Sequence, residues 1–109
     1  MSVKLIDTAT RFSLTLDAKR AKLVVQELAH EKKVRRHGKG MRLTTDACCI
    51  IVVTLPSGKK RRYQIFDKIV VLEESTNLSW QFFAGMLLMD WLRQAQPSRP
   101  PRPFQPAVP

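Results

Sequence analysis

A chain of 109 residues has room for one domain and excludes most large enzyme architectures. Its 19 lysines and arginines against 9 acids give a net charge of +10 at neutral pH. Such a charge keeps a bare protein soluble and draws polyanions, so nucleic acid or an anionic lipid surface is the first class of partner. An apolar fraction of 44% excludes a wholly disordered polyelectrolyte, because that much hydrophobic surface offsets chain entropy by collapsing into a core.

Met1 to Arg11 holds no continuous hydrophobic stretch, so no secretory signal is expected. From Arg11 to Leu16, Phe12, Leu14 and Leu16 alternate with Ser13 and Thr15, the period of a half-buried strand. Asp17 then fits a helix cap. Ala18, Ala21, Val24, Val25, Leu28 and Ala29 follow with helical spacing and share one arc, which predicts a helix over about 18–36 with Gly38 as its stop. On its polar side Lys19, Lys22, Gln26, His30 and Lys33 form a largely cationic stripe.

After the His37-Gly38-Lys39-Gly40 link, Cys48 to Leu55 is apolar on both alternate faces and rich in β-branched residues, as a central strand requires. Cys48 and Cys49 are adjacent in that strand, so their side chains point to opposite faces and do not bridge; buried thiols in an intracellular protein are expected. Leu55-Pro56-Ser57-Gly58 has the composition of a tight turn, after which Arg61 to Phe66 returns as a hairpin partner. Ile69 to Glu73 is a third meander strand, or the end of one bent strand starting at Arg61. Capped by Ser75, Asn77 or Ser79, a last helix of about 78–95 carries apolar residues around nearly its whole circumference. Phe82 to Met89 and on to Leu92 is broken by Asp90 and falls short of the roughly 20 residues a membrane span needs.

Six of the seven prolines fall in the last 13 residues, where missing amide donors and fixed φ angles favour extended conformations. The expected organisation is therefore a basic α+β domain over 1–96, a three- to four-stranded antiparallel meander flanked by two helices, and a disordered proline-rich tail over 97–109. The order helix, meander, helix is similar to that of double-stranded RNA-binding domains and of the Alu-binding proteins of the signal recognition particle. The likeness is one of element order alone, since Asn77-Leu78-Ser79-Trp80 lacks the lysine-rich start of the second helix in the former.

Two acid-free basic clusters carry the strongest functional signal. Lys32, Lys33, Arg35, Arg36, Lys39 and Arg42 gather around the helix end, and Lys59, Lys60, Arg61 and Arg62 at the hairpin; with Lys19 and Lys22 they form the candidate nucleic-acid site. Neutralising phosphates releases counterions and gives affinity without sequence information. Few aromatics lie among the cations, which favours a duplex or structured RNA backbone over a sequence-specific single strand, and RNA is the expected partner ahead of DNA. Trp80, Phe83, Leu87 and Trp91 on the oily last helix are the candidate homodimer interface, ahead of a membrane-surface role, because that helix has no strongly polar face.

Pro97, Pro100 and Arg102 match the spacing by which a Src-homology-3 domain takes a polyproline helix. Lys59 to Arg62 also fits a short nuclear-import pattern, consistent with a cytoplasmic or nuclear setting. His30 and His37 belong to no nucleophile and base set, the two cysteines fall short of a zinc site, and the acids form no magnesium-binding pair, so neither enzyme activity nor any cofactor or metal is expected. Small size, basic clusters and an arginine-proline tail together fit a viral accessory protein; the alternative is a protein-interaction adaptor using the last helix, a sheet edge or the tail.

Overall fold

The computed structural model describes residues 1–39 and 46–96, and of residues 31–39 the backbone. The chain runs β1 (Ser2–Asp7), β2 (Ser13–Thr15), α1 (Ala18–Arg35), β3 (Arg36–Lys39), β4 (Cys49–Thr54), β5 (Lys60–Phe66), β6 (Val70–Glu73), β7 (Leu78–Gln81) and α2 (Gly85–Ala95). All strands join one antiparallel sheet in the order β2-β1-β4-β5-β6-β7-β3. The α+β class agrees with the sequence; the meander of three to four strands is corrected to a seven-stranded sheet.

Strands β2 and β3 are consecutive in the chain yet occupy opposite edges, so α1 must span the sheet between them. Six strand steps of about 4.8 Å amount to roughly 29 Å, and 18 residues at about 1.5 Å each give roughly 27 Å, so the helix length matches the sheet width. Asp17 caps α1 as expected, its Oδ1 accepting from the Arg20 amide at 2.8 Å. Ala21, Val24 and Leu28 turn inward onto Val3 and Leu5 of β1, Cys49, Ile51 and Val53 of β4, Ile65 of β5 and Val71 of β6. Leu88 and Leu92 of α2 enter the same cluster, which places both helices on one face.

The hairpin after β4 follows its sequence: the Gly58 amide donates to Leu55 O at 2.8 Å, and Gly58 adopts the left-handed φ of +90° that closes a bulged turn. Asp67 and Lys68, both with positive φ, then separate β5 from β6 as two strands.

The predicted helix over 78–95 is divided. Asn77 has φ 57° and its amide donates to Glu73 O at 2.9 Å, so it closes a hairpin instead of capping a helix. Leu78 to Gln81 form β7, with Trp80 and then Phe82 fully buried; the helix starts only at Gly85. The order helix, meander, helix does not hold either, since two strands precede α1 and a further one follows it. Among the described residues no helix is long and apolar enough to cross a membrane. The tail over 97–109 lies outside the described residues.

Cys48 and Cys49 are free thiols, and Cys49 is fully buried at the start of β4. Burial, followed by the neighbouring Cys48, pushes the Cys49 thiol from 9.0 up to about 12. The unfolded thiol ionises near its ordinary value, so above about pH 9 the folded chain holds the extra proton and stability falls as pH rises. By pH 12 the loss is on the order of 4 kcal/mol. Thermal midpoints measured from pH 8.5 to 10.5 are expected to drop steadily, and Cys49→Ala to flatten that slope; equal slopes in the two proteins would contradict the assignment.

Candidate functional site

Lys60, Arg61 and Arg62 open β5, and strand alternation sends them to different faces. Arg61 pairs with Val53, which is buried beneath the helices, so Arg61 emerges on the helix-covered side. Lys60 pairs with Thr54 and Arg62 with Val52, which puts both on the open face. The register Lys4↔Val52↔Arg62 brings Lys4 of β1 onto that face as well. Lys4 and Arg62 thus flank Val52 at about 10 Å, two strand steps apart, with Lys60 roughly 7 Å further along β5. Lys59 sits exposed in the adjoining turn.

The hairpin cluster is acid-free in sequence but not in space. Arg62 Nε lies 3.1 Å from Glu74 Oε1, while Gln64 Nε2 donates to Glu74 Oε2 at 2.9 Å. Half of the Arg62 side chain stays exposed. Lys19 and Lys22 are exposed on the outside of α1, remote from the open face because the sheet lies between. Lys32, Lys33 and Arg35 belong to the last turns of α1, and Arg36 and Lys39 to the edge strand β3, which pairs with β7; their side chains and Arg42 lie outside the described residues. Of the predicted cations whose side chains are described, Lys19 and Lys22 lie on the helix side of the sheet and Arg61 emerges there too, while Lys60 and Arg62 share the open face with Lys4.

Lys4 is the residue that sequence reasoning missed. Its signal was present: between inward-facing Val3 and Leu5, a strand residue must point the other way.

Behind Arg61, Tyr63 is raised from its ordinary 10.0, first by burial and then by Glu73, its cross-strand partner on β6. The Tyr63 hydroxyl lies against both Glu73 and Arg61, and the Thr76 hydroxyl donates to Glu73 Oε1 at 2.8 Å. Among the described residues no group of three or more His, Cys, Asp and Glu side chains gathers in a metal-binding arrangement.

The chain matches no family model and no curated protein. It is similar to the crystal structure of a "putative lipoprotein from Clostridium perfringens", with a TM-score of 0.67 over 85% of this chain and 84% of that one. At 11% identity this likeness shows the fold alone. The overall fold is thus one that another sequence also adopts.

The predicted dimer interface is taken apart by the split of the last helix. Trp80 is fully buried in the core and offers nothing to a partner. Phe83, just before α2, and Leu87, beside Met86 on its outside, stay 48% and 40% exposed. Trp91 is half-buried under the Arg20 guanidinium, whose carbon sits 4.9 Å from the ring centre. Pro97, Pro100 and Arg102 lie outside the described residues.

Proposed function

We propose that this protein is a non-enzymatic nucleic-acid-binding protein that holds the phosphate backbone of duplex or structured RNA on the open face of its sheet. The observation that carries this reading is the convergence of Lys4, Lys60 and Arg62 around Val52, with Lys59 at the adjoining turn. Lys4 and Arg62 stand on interior strands, as does Lys60, so register fixes where each charge leaves the sheet. Val52 between Lys4 and Arg62, and Ile6, Ile50 and Leu72 in the next row on that face, are half-buried, and Phe66, which alternation assigns to the same face, is buried. No exposed aromatic of the described residues is therefore available there for base stacking, and the contacts fall to phosphates and sugars. A shallow A-form minor groove with its 2′-hydroxyls suits such a face.

The test is a triple substitution, Lys4→Ala, Lys60→Ala and Arg62→Ala, in filter-binding assays of duplex RNA across a salt titration. Affinity is expected to fall equally for all sequences, and the slope of log K against log salt to shrink by roughly two to three as three phosphate contacts disappear. An unchanged slope would remove the open face from the reading; loss on Lys19→Ala, Lys22→Ala instead would move the site to α1. The exposed Met86 and Leu87 of α2, with Phe83 just before the helix, favour a second reading, an adaptor that receives another protein there.

A further inference from the structure

Helix α1 crosses the sheet on a diagonal. The Leu16 amide bonds Val3 O, so the helix starts at the Val3 end of β1. It ends at Arg35, and the next residue, Arg36 of β3, is in the register Arg36↔Trp80↔Val71↔Ile65↔Cys49↔Asp7, level with the other end of β1. A diagonal leaves two triangles of sheet uncovered. Helix α2 fills one of them, packing on β1 and β2, with Gln96 Nε2 donating to Asp7 Oδ2 at 2.8 Å. Over the other, at the Val3 end of β4 and β5, lies a cavity of about 570 Å³.

We propose that this cavity binds a single-chain amphiphile with an anionic headgroup, a fatty acid being the simplest form. Its volume falls within the roughly 300–1,000 Å³ of small-molecule sites. The deep walls are Leu28 of α1, Val53 of β4, Tyr63 of β5 and Trp80 of β7, all buried, which suits an apolar tail. The polar groups at that depth, Tyr63 and Glu73, are already engaged with one another and with Thr76. At the mouth stand exposed Met1, Ala29 and Arg61. Arg61 is the cationic side chain among the described lining residues and stands at the mouth, which favours a carboxylate over a cationic or neutral head. The site lies on the opposite side of the sheet from Lys4, Lys60 and Arg62, and does not depend on the RNA reading.

Calorimetric titration of the full chain with dodecanoate, dodecanol and dodecyltrimethylammonium, each below its micelle concentration, tests the proposal. Trp80 lines the cavity and Trp91 does not, so Trp91→Phe leaves a reporter within the site. Saturable dodecanoate binding with a change in Trp80 emission is expected. Arg61→Gln should weaken dodecanoate by about tenfold and leave dodecanol unchanged, the loss of one charge-assisted contact. Ala29→Phe, an exposed position where the larger side chain projects over the mouth, should weaken both ligands, with an unaltered melt reporting that the chain still folds. The proposal is overturned by absence of saturable binding, by dodecyltrimethylammonium binding as tightly as dodecanoate, or by both variants binding like the parent.

Discussion

Gly85→Ala is expected to lower stability by roughly 2 kcal/mol, although alanine is the better helix former by about 1 kcal/mol. Gly85 opens α2 where the helix passes directly over the β5–β6 turn. A Cβ added there would lie inside van der Waals contact of the Lys68 carbonyl oxygen, 3.0 Å from its carbonyl carbon and 3.2 Å from Ile65 Cγ2. The carbonyl cannot swing away cheaply: Asp67 and Lys68 hold left-handed φ values of 52° and 65° to make the turn, and β5 and β6 on either side are interior strands. Relief must come from α2, whose Leu88 and Leu92 are fully buried. At about 4–8 °C per kcal/mol the thermal midpoint should fall by about 10 °C. A midpoint that held or rose would show that the backbones do not meet at this point.

The same site shows why some of the fold is readable from sequence. Gly85 interrupts an apolar helix pattern, where a close backbone approach is the physical reason to tolerate it. Asp17 and the Leu55 to Gly58 turn are legible for a similar reason, each having a local mechanism that operates before any tertiary contact forms. Strand β7 is ambiguous because Leu78, Trp80 and Phe82 at spacing two also lie on a helix that is apolar all round. What decides between them is Asn77 in its left-handed conformation, joined to Glu73 through a bond that exists only once β6 is in place. Strand β3 has no apolar period to detect; its Arg36, Gly38 and Lys39 become a strand by pairing with β7. The candidate site suffers from the same limitation. Counting cations along the chain finds Lys59 to Arg62, but a residue's face follows from register, which sends Arg61 and Arg62 apart, brings Lys4 in from β1 and supplies Glu74 from beyond β6.

Register also removes much of the need for a dimer, and Trp80→Ala measures how much. A helix over 78–95 would have to hide Trp80 and Phe82 against a second molecule; as β7 and its extension they are hidden under α1 and α2 instead. Trp80 meets Tyr63 edge-on, with ring centres 6.4 Å apart and planes at 81°, and its ring is fully buried. Its truncation is expected to cost about 3–5 kcal/mol, a large part of the roughly 5–15 kcal/mol that holds a domain together. The thermal midpoint should drop by upward of about 12 °C at every protein concentration. Had Trp80 served an interface, the drop would depend on concentration and vanish in dilute solution, where the chains are already apart. Phe83→Ser and Leu87→Ser supply the contrast. Both side chains are substantially exposed, so their loss should shift the isolated chain by no more than about 0.5 kcal/mol and act instead on any association through α2. A concentration-independent collapse at Trp80 beside near-silence at Phe83 and Leu87 would assign the first to the core and leave, of the predicted interface, Phe83 and the outer side of α2 for a partner.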